Sequence, residues 1–307
     1  MKRYYDLNTY FRNRFGERVH KISIDAGLTC PNRDGTLGTG GCIYCNAKGS
    51  GTGNYAKGRS ISSQLEDSKA PVIKRFKAKK FIAYFQSFTN TYASPDRLRA
   101  LYDEALAVPD VVGLAIGTRP DCVSEAVLDL LQSYAKKKLI WLEYGLQSAH
   151  DPTLATINRG HDVAAFENAV AATAGRGIQI GVHIILGLPD EDADHMHATA
   201  DFIARLPIDG VKLHLLYVVR GTRMEDLYAA GGYRCLEQDE YADLVCDVIE
   251  RLPAGTVMLR LTGDPHAHEL VAPKWALAKD RTMALIRERL EQRDTWQGRL
   301  LGCPRPE

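Results

Sequence analysis

The chain has 307 residues, 45% hydrophobic and 25% charged, the balance of a folded globular protein and not of a disordered one. Lysine and arginine number 39 against 38 acidic residues, so the net charge of +1 excludes a histone-like coat or an acidic tail while leaving room for a local basic patch. The length suits two ordinary domains or one large α/β barrel.

The segment Met1 to Phe11 has no apolar run of the signal-peptide kind. The most apolar stretches, Ile180 to Leu188 and Val211 to Val219, are far shorter than the ~20 residues of a membrane span, so a cytoplasmic protein is expected. Residues 1–18 read as a basic, aromatic N-terminal arm. From Met1 to Lys21, six basic residues (Lys2, Arg3, Arg12, Arg14, Arg18 and Lys21) stand against Asp6 and Glu17, a local charge of +4. Tyr4, Tyr5, Tyr10, Phe11 and Phe15 are interleaved with them. This pattern suits phosphate contacts with base stacking, or an amphipathic helix whose aromatics pack beneath a barrel.

A first strand is predicted at His20 to Ala26. Directly after it come Cys30 and Cys42-Ile43-Tyr44-Cys45, spaced C-x11-C-x2-C. Thiolates this close bind soft metals, whose charge relieves their mutual repulsion. No fourth cysteine lies nearby to close a structural zinc site, and His20 precedes the strand. Three ligands with one open position suit a catalytic metal or a cluster, and on spacing alone zinc stays open. Cys122, Cys235, Cys246 and Cys303 are scattered and read as packed residues. The Gly- and Ser-rich stretch Gly49 to Ser63 reads as a mobile loop leading into a helix, followed by the basic run Lys74 to Lys80.

Further strands are predicted at Lys80 to Gln86, Val111 to Gly117, Leu139 to Leu146, Ile178 to Leu186 and Val211 to Val218, with a seventh at Thr256 to Leu261. They are apolar on both faces, as buried parallel strands are. Between them lie helices with readable ends: Ser94-Pro95-Asp96 and Ser124 are N-cap signals, and Gln238 to Leu252 is a third amphipathic stretch. Repeated β–α units imply right-handed crossovers and a parallel sheet. The expected fold is a partial (β/α)6-type barrel over residues 19–262, with a C-terminal extension, residues 263–307, containing a helix near Lys279 to Gln292. A full eight-stranded barrel and an open doubly wound sheet are the alternatives.

Several motifs fall at the C-terminal ends of these strands, where such barrels carry their sites. They are Gln86-Ser87-Phe88-Thr89-Asn90-Thr91-Tyr92, Gly117-Thr118-Arg119-Pro120-Asp121, Glu143-Tyr144-Gly145-Leu146-Gln147-Ser148, Asn158-Arg159-Gly160-His161 and Gly187-Leu188-Pro189. Each alone has a plain reading as a turn, a cap or a buried ion pair; together they line one rim. With Gly27-Leu28-Thr29-Cys30-Pro31-Asn32-Arg33-Asp34-Gly35 running on to Gly41-Cys42-Ile43-Tyr44-Cys45-Asn46, the chain resembles a radical S-adenosylmethionine (SAM) enzyme. The branch is the one that holds the elongator catalytic subunit and the YhcC/YtqA proteins, whose cysteine spacing departs from C-x3-C-x2-C in the same way. The resemblance runs from about Tyr5 to Trp296.

That resemblance implies that Cys30, Cys42 and Cys45 ligate three irons of a [4Fe–4S] cluster and leave one iron open to SAM. An electron from the cluster, supplied by a reduced flavodoxin or ferredoxin-type donor, releases a 5′-deoxyadenosyl radical that takes a hydrogen from the substrate. Gln147 and Arg159 match positions that contact SAM, the guanidinium suiting its methionyl carboxylate. Glu143, Thr118 and Arg119 are placed near the ribose or the substrate. Gln86-Ser87-Phe88 replaces the usual Gly-Gly-Glu, leaving Ser87 and its neighbours' carbonyls for the SAM amino group. No residue is assigned the hydrogen-transfer step.

Relatives of this branch act on transfer RNA, taking the C5 side chain of wobble uridine from carboxymethylaminomethyl toward aminomethyl, so a tRNA substrate is expected. No auxiliary cluster motif supports sulfur insertion. Radical chemistry on a small metabolite or peptide is a second reading, and a zinc-stabilised nucleic-acid-binding module a third. Arg260-Leu261-Thr262-Gly263-Asp264, His266 and His268 follow the last strand, where a substrate pocket would close. His214 and Tyr217 end the sixth strand and face the barrel or pack. His195 and His197, two apart on a helix, do not share a face.

Overall fold

The computed structural model describes residues 2–49, 57–86 and 88–306. In chain order the elements are α1 (Leu7–Phe15), β1 (Val19–Ile24), α2 (Ile61–Phe76), β2 (Lys80–Phe85), α3 (Pro95–Ala107), β3 (Val111–Thr118), α4 (Glu125–Ala135), β4 (Leu139–Gln147), α5 (Asp151–Thr156) and α6 (Val163–Thr173). They continue with β5 (Gln179–Leu186), α7 (Ala193–Ala204), β6 (Gly210–Leu215), β7 (Val218–Val219), α8 (Arg223–Ala229), α9 (Gln238–Arg251), β8 (Val257–Arg260), β9 (Leu270–Ala272) and α10 (Lys279–Gln292).

Seven strands pair in the order β1-β2-β3-β4-β5-β6-β8, every neighbouring pair parallel. β1 and β8 are its two edges, so the curled sheet is a partial barrel, with the expected seventh strand present as β8. Strands apolar on both faces need cover on both, and the main core fills the layer between sheet and helices with Phe85, Leu114, Ile140, Tyr144, Phe166, Leu213 and Tyr241. The helix starts follow their caps. Ser94 accepts from Arg97 N–H, Ser124 from Val127 N–H and Asp162 from Ala165 N–H. Ser60 caps α2 by accepting from Ser63 N–H, so the helix begins inside the stretch read as a loop; residues 50–56 of that stretch lie outside the described residues. β6 is shorter than its apolar run because Val218 and Val219 leave the sheet to pair antiparallel with Ala272 and Leu270 of β9.

The N-terminal segment is a plug beneath the barrel. Asp6 caps α1, and Phe11 is buried against Val19, Leu139, Trp141 and Val257 at the N-terminal ends of the strands, with Tyr5, Tyr10 and Phe15 packed around it. Tyr10 meets Trp141 edge-on at 5.5 Å. Burying a phenylalanine this completely is worth about 2 kcal/mol. Of the two roles its composition suits, packing is therefore the one these aromatics perform. Tyr5 O accepts from Met258 N–H at 2.8 Å, which covers the exposed edge of β8. Gln297, 1% exposed, accepts from Tyr5 N–H (2.9 Å) and donates to Pro253 O and Thr256 O, tying the C-terminal extension to the same corner. The opposite end of the barrel, at the strand C-termini, opens into a cavity of about 280 Å³.

Candidate active site

The cysteine-bearing loop leaves β1 and folds over the rim. Arg33 and Asp34 N–H groups donate to Cys30 O, Gly41 N–H to Asn32 O and Cys45 N–H to Cys42 O, a run of tight turns that sets all three cysteines on the cavity. All three are free thiols. Cationic N–H groups face two of them: Arg33 Nη1 lies 3.3 Å from Cys45 Sγ and Arg159 Nη1 3.6 Å from Cys42 Sγ. Such donors favour the thiolate that metal binding requires. Burial, with Cys42 adding, pushes the Cys45 thiol up to about 11, and Arg33 works against that rise. Among the described residues no three His, Cys, Asp or Glu side chains converge as ligands of one metal ion would. Ligands to separate irons of a cluster need only surround it.

The Asn158-Arg159-Gly160-His161 loop docks onto this loop. Asn158 Nδ2 donates to Gly41 O (2.8 Å), Asn32 Nδ2 to Asn158 O (2.6 Å), and Ile43 N–H to Ile157 O (3.1 Å). Arg159 is thereby anchored over β4, where its Nε and Nη2 donate to Gly145 O at 3.2 and 2.6 Å. A β-bulge between Gly145 and Gln147 puts Gln147 at φ 79° and turns it onto the cavity. A Cβ at Gly145 would lie 2.6 Å from both Arg159 Nη2 and Gln147 Nε2, so glycine is what lets these two side chains meet there.

Thr118 and Arg119 also line the cavity, but their polar groups are engaged. Arg119, 2% exposed, holds Asp121 through Nε (2.9 Å) and Nη2 (2.7 Å) and gives Nη1 to Arg159 O (2.6 Å), which makes it a brace for the Arg159 loop. Thr118 Oγ1 is 2.5 Å from Thr91 Oγ1, which donates to Cys122 O. Phe88, at φ 60°, carries the Arg33 guanidinium 5.5 Å from its ring centroid; Ser87 beside it lies outside the described residues.

Beneath the rim, charged and polar groups from six strands form the cavity floor. Glu143, fully buried and not itself on the cavity, accepts from Lys21, from His183 Nε2 (2.8 Å) and from Lys212 Nζ (3.4 Å); Lys212 also reaches Tyr84 OH. Burial opposes the Glu143 charge, but Lys21 and Lys212 outweigh it and hold the carboxyl well below its usual range. Burial, reinforced by Arg260 and Lys21, brings the Lys212 amine down to about 7. His183 and His214 are driven down by burial and by the neighbouring cations, so both imidazoles are neutral at pH 7. Arg260 donates to His214. His214, Tyr217, Asp264 and His266 also line the cavity, whereas His268 and the pair His195 and His197 do not.

The structure thus brings Cys30, Cys42, Cys45, Gln147, Arg159, Thr118 and Arg119 to one cavity and sets Glu143 below it. Lys21, Tyr84, His183 and Lys212 are candidate-site residues that sequence reasoning missed, the last three on the cavity itself and Lys21 through Glu143. Part of their signal was present, since Glu143 and Lys212 are charged residues inside mostly apolar, buried strands. Among the scattered cysteines, Cys235 and Cys246 are buried and Cys122 and Cys303 half-buried.

A partial parallel barrel with three free thiols and converging cations at its C-terminal rim is the framework of a cofactor-dependent enzyme. Residues 33–203 match the Radical SAM superfamily and residues 208–292 the Radical SAM C-terminal domain, and the chain belongs to that superfamily. It is 41% identical over 300 residues to the uncharacterized protein YtqA of Bacillus subtilis, covering 97% of this chain and 92% of that one, which places it in the YhcC/YtqA-like branch. It is 26% identical over 191 residues to Elongator complex protein 3 of Saccharomyces cerevisiae, covering 60% of this chain and 33% of the relative. In fold it matches the archaeal Elp3 of Methanocaldococcus infernus with a TM-score of 0.66 at 16% identity, over 91% of this chain and 64% of that one.

As a radical SAM enzyme its cofactors are a [4Fe–4S] cluster and SAM. The residues present fit them. Three free thiols share one cavity with the Arg159 and Arg33 guanidinium groups, and two buried oxygens on it, Thr89 Oγ1 and Asn90 Oδ1, have no hydrogen-bond partner among the described residues. Among those residues, no helix is long and apolar enough to cross a membrane.

Proposed function

We propose that this enzyme modifies the C5 side chain of wobble uridine in tRNA, taking carboxymethylaminomethyl toward aminomethyl. The observation that carries the reading is the charge of the cavity: among the described residues Arg33, Lys48, Arg119, Arg159, Lys212 and Arg260 line it, against Asp264 and Glu269. A cation-rich pocket suits a nucleotide with its flanking phosphates. The likeness to Elongator complex protein 3, together with the spacing of the cysteine motif, supports the same substrate class.

In this reading Cys30, Cys42 and Cys45 hold the cluster, and Gln147 and Arg159, aligned over Gly145, hold SAM. Thr118 and Arg119 back that pair from the third strand. Glu143 acts from below by fixing Lys212 and His183. When bound, the cluster and SAM supply the one-electron chemistry that removes hydrogen from an unactivated carbon. The chain's own contribution is orientation and shelter: Arg33 and Arg159 steady the thiolates, the Asn158 loop closes over them, and the apolar wall of Ile185, Leu215 and Leu216 limits water. Reduction falls to a flavodoxin or ferredoxin-type donor in the cytoplasm. A nucleoside mass profile of tRNA from cells lacking the chain should show carboxymethylaminomethyl-uridine accumulating at the wobble position; unchanged wobble uridines would remove this reading.

A further inference from the structure

Arg260 has a cation's chemistry without an anion to match it. It ends β8 on the cavity wall, half-buried, and no carboxylate lies within 4 Å of it among the described residues. Among the described residues its guanidinium donates only to His214, an imidazole held neutral, and its buried Nε has no hydrogen-bond partner. The one carboxylate nearby in the floor, Glu143, is already shared by Lys21, Lys212 and His183. Asp264, the acidic residue closest in sequence, is paired with Lys279 at 2.7 Å. A desolvated charge is costly unless an opposite charge joins it. The cavity wall therefore holds a guanidinium without a carboxylate partner among the described residues, backed by the Lys212 amine, on the side formed by β6 and β8 and away from β4, over which Arg159 and Gln147 meet.

We infer that Arg260 is a specificity residue that binds a carboxylate on the substrate. A planar guanidinium edge pairs with a carboxylate through parallel N–H···O bonds, and the floor offers no acid to compete for it. This deepens the wobble-uridine reading and rests on it for the identity of the carboxylate, the terminal one of the carboxymethylaminomethyl group.

The test compares binding by the reconstituted enzyme of anticodon stem-loops carrying carboxymethylaminomethyl-uridine or aminomethyl-uridine. N-methylglycine, a free small carboxylate, is titrated separately. The wild type should prefer the carboxylated loop by about tenfold or more, and Arg260→Gln should erase that preference while leaving its affinity for SAM unchanged. Arg260→Lys should keep part of the preference. Where either loop binds better than one with unmodified uridine, equal binding of the two by the wild type, or a preference that survives in Arg260→Gln, overturns the inference. So does a comparable loss of SAM affinity, which would put the SAM carboxylate on Arg260 instead. If neither loop binds better than one with unmodified uridine, the tRNA reading has failed, and N-methylglycine decides the subsite alone. Binding to the wild type but not to Arg260→Gln upholds it; equal response or none overturns it. Removing an unmatched charge should leave the melting temperature of Arg260→Gln unchanged or raised, whereas a fall together with all affinities marks a structural residue and also overturns the inference.

Discussion

The two ends of the barrel are built from the same strands and spend them differently. At the N-terminal end Phe11, Leu139, Trp141 and Val257 pack into a buried apolar cluster under α1, with Tyr5, Leu7, Tyr10 and Phe15 packed against it. At the C-terminal end the same strands present Tyr84, Thr118, Gln147, His183, Lys212 and Arg260 to an open cavity, with cations in excess and buried oxygens lacking partners. One end is closed by its own apolar residues, with the buried Trp141 Nε1 as its one unpartnered polar atom among the described residues of that cluster; the other carries polar groups suited to bound cofactors. Stability and chemistry are thereby separated along the strand axis, as they are in barrels generally.

The sharpest way to break that separation is at the rim. Cys42→Ala should lose the cluster entirely, read as iron and sulfide content, while circular dichroism and solubility stay those of the wild type. A collapsed, insoluble variant would make the metal structural. At the other end Phe11→Ala should cost about 3–5 kcal/mol in denaturant unfolding. Its SAM affinity, measured on the folded fraction, should not move; a matching loss of affinity would mean the plug and the rim are coupled. Gly145→Ala tests the rim without touching the core. Its Cβ would displace only the flexible ends of Arg159 and Gln147, so folding should survive while SAM binding weakens by about tenfold, the equivalent of about 1.4 kcal/mol.

A separate test concerns the floor, where the buried charges lie between the two ends. Lys212 titrates near 7 in the fold among Lys21, Glu143, Tyr84, His183 and Arg260, against 10.5 for its ordinary amine. Between those values the unfolded chain holds a proton that the folded chain does not. This group alone therefore makes stability rise with pH from about 7 to about 10.5, by at most about 1.4 kcal/mol per pH unit. Lys212→Met should flatten that rise, as seen in urea midpoints across the window; an unchanged slope would show that the amine stays charged.

Much of this was legible in the chain. Strands buried on both faces are short apolar runs, and all seven were placed within a few residues. The cysteine spacing and the Asn158 to His161 motif located the rim because each is a local pattern. The plug was ambiguous because an aromatic, basic helix has the same periodicity whether it covers a barrel or an RNA. Glu143 illustrates the harder limit. Its partners Lys21, His183 and Lys212 come from three other strands up to 122 residues away, so its place as a buried hub depends on register. Arg33 stood in the quoted motif, yet only the fold shows its guanidinium against Cys45.

The central claim is that the open end of this barrel is a cluster and SAM site held by Cys30, Cys42 and Cys45. Anaerobic purification followed by metal, sulfide and product analysis tests it directly. About four irons and four sulfides per chain and cleavage of SAM to 5′-deoxyadenosine on reduction are expected. One zinc per chain with no SAM cleavage would contradict it.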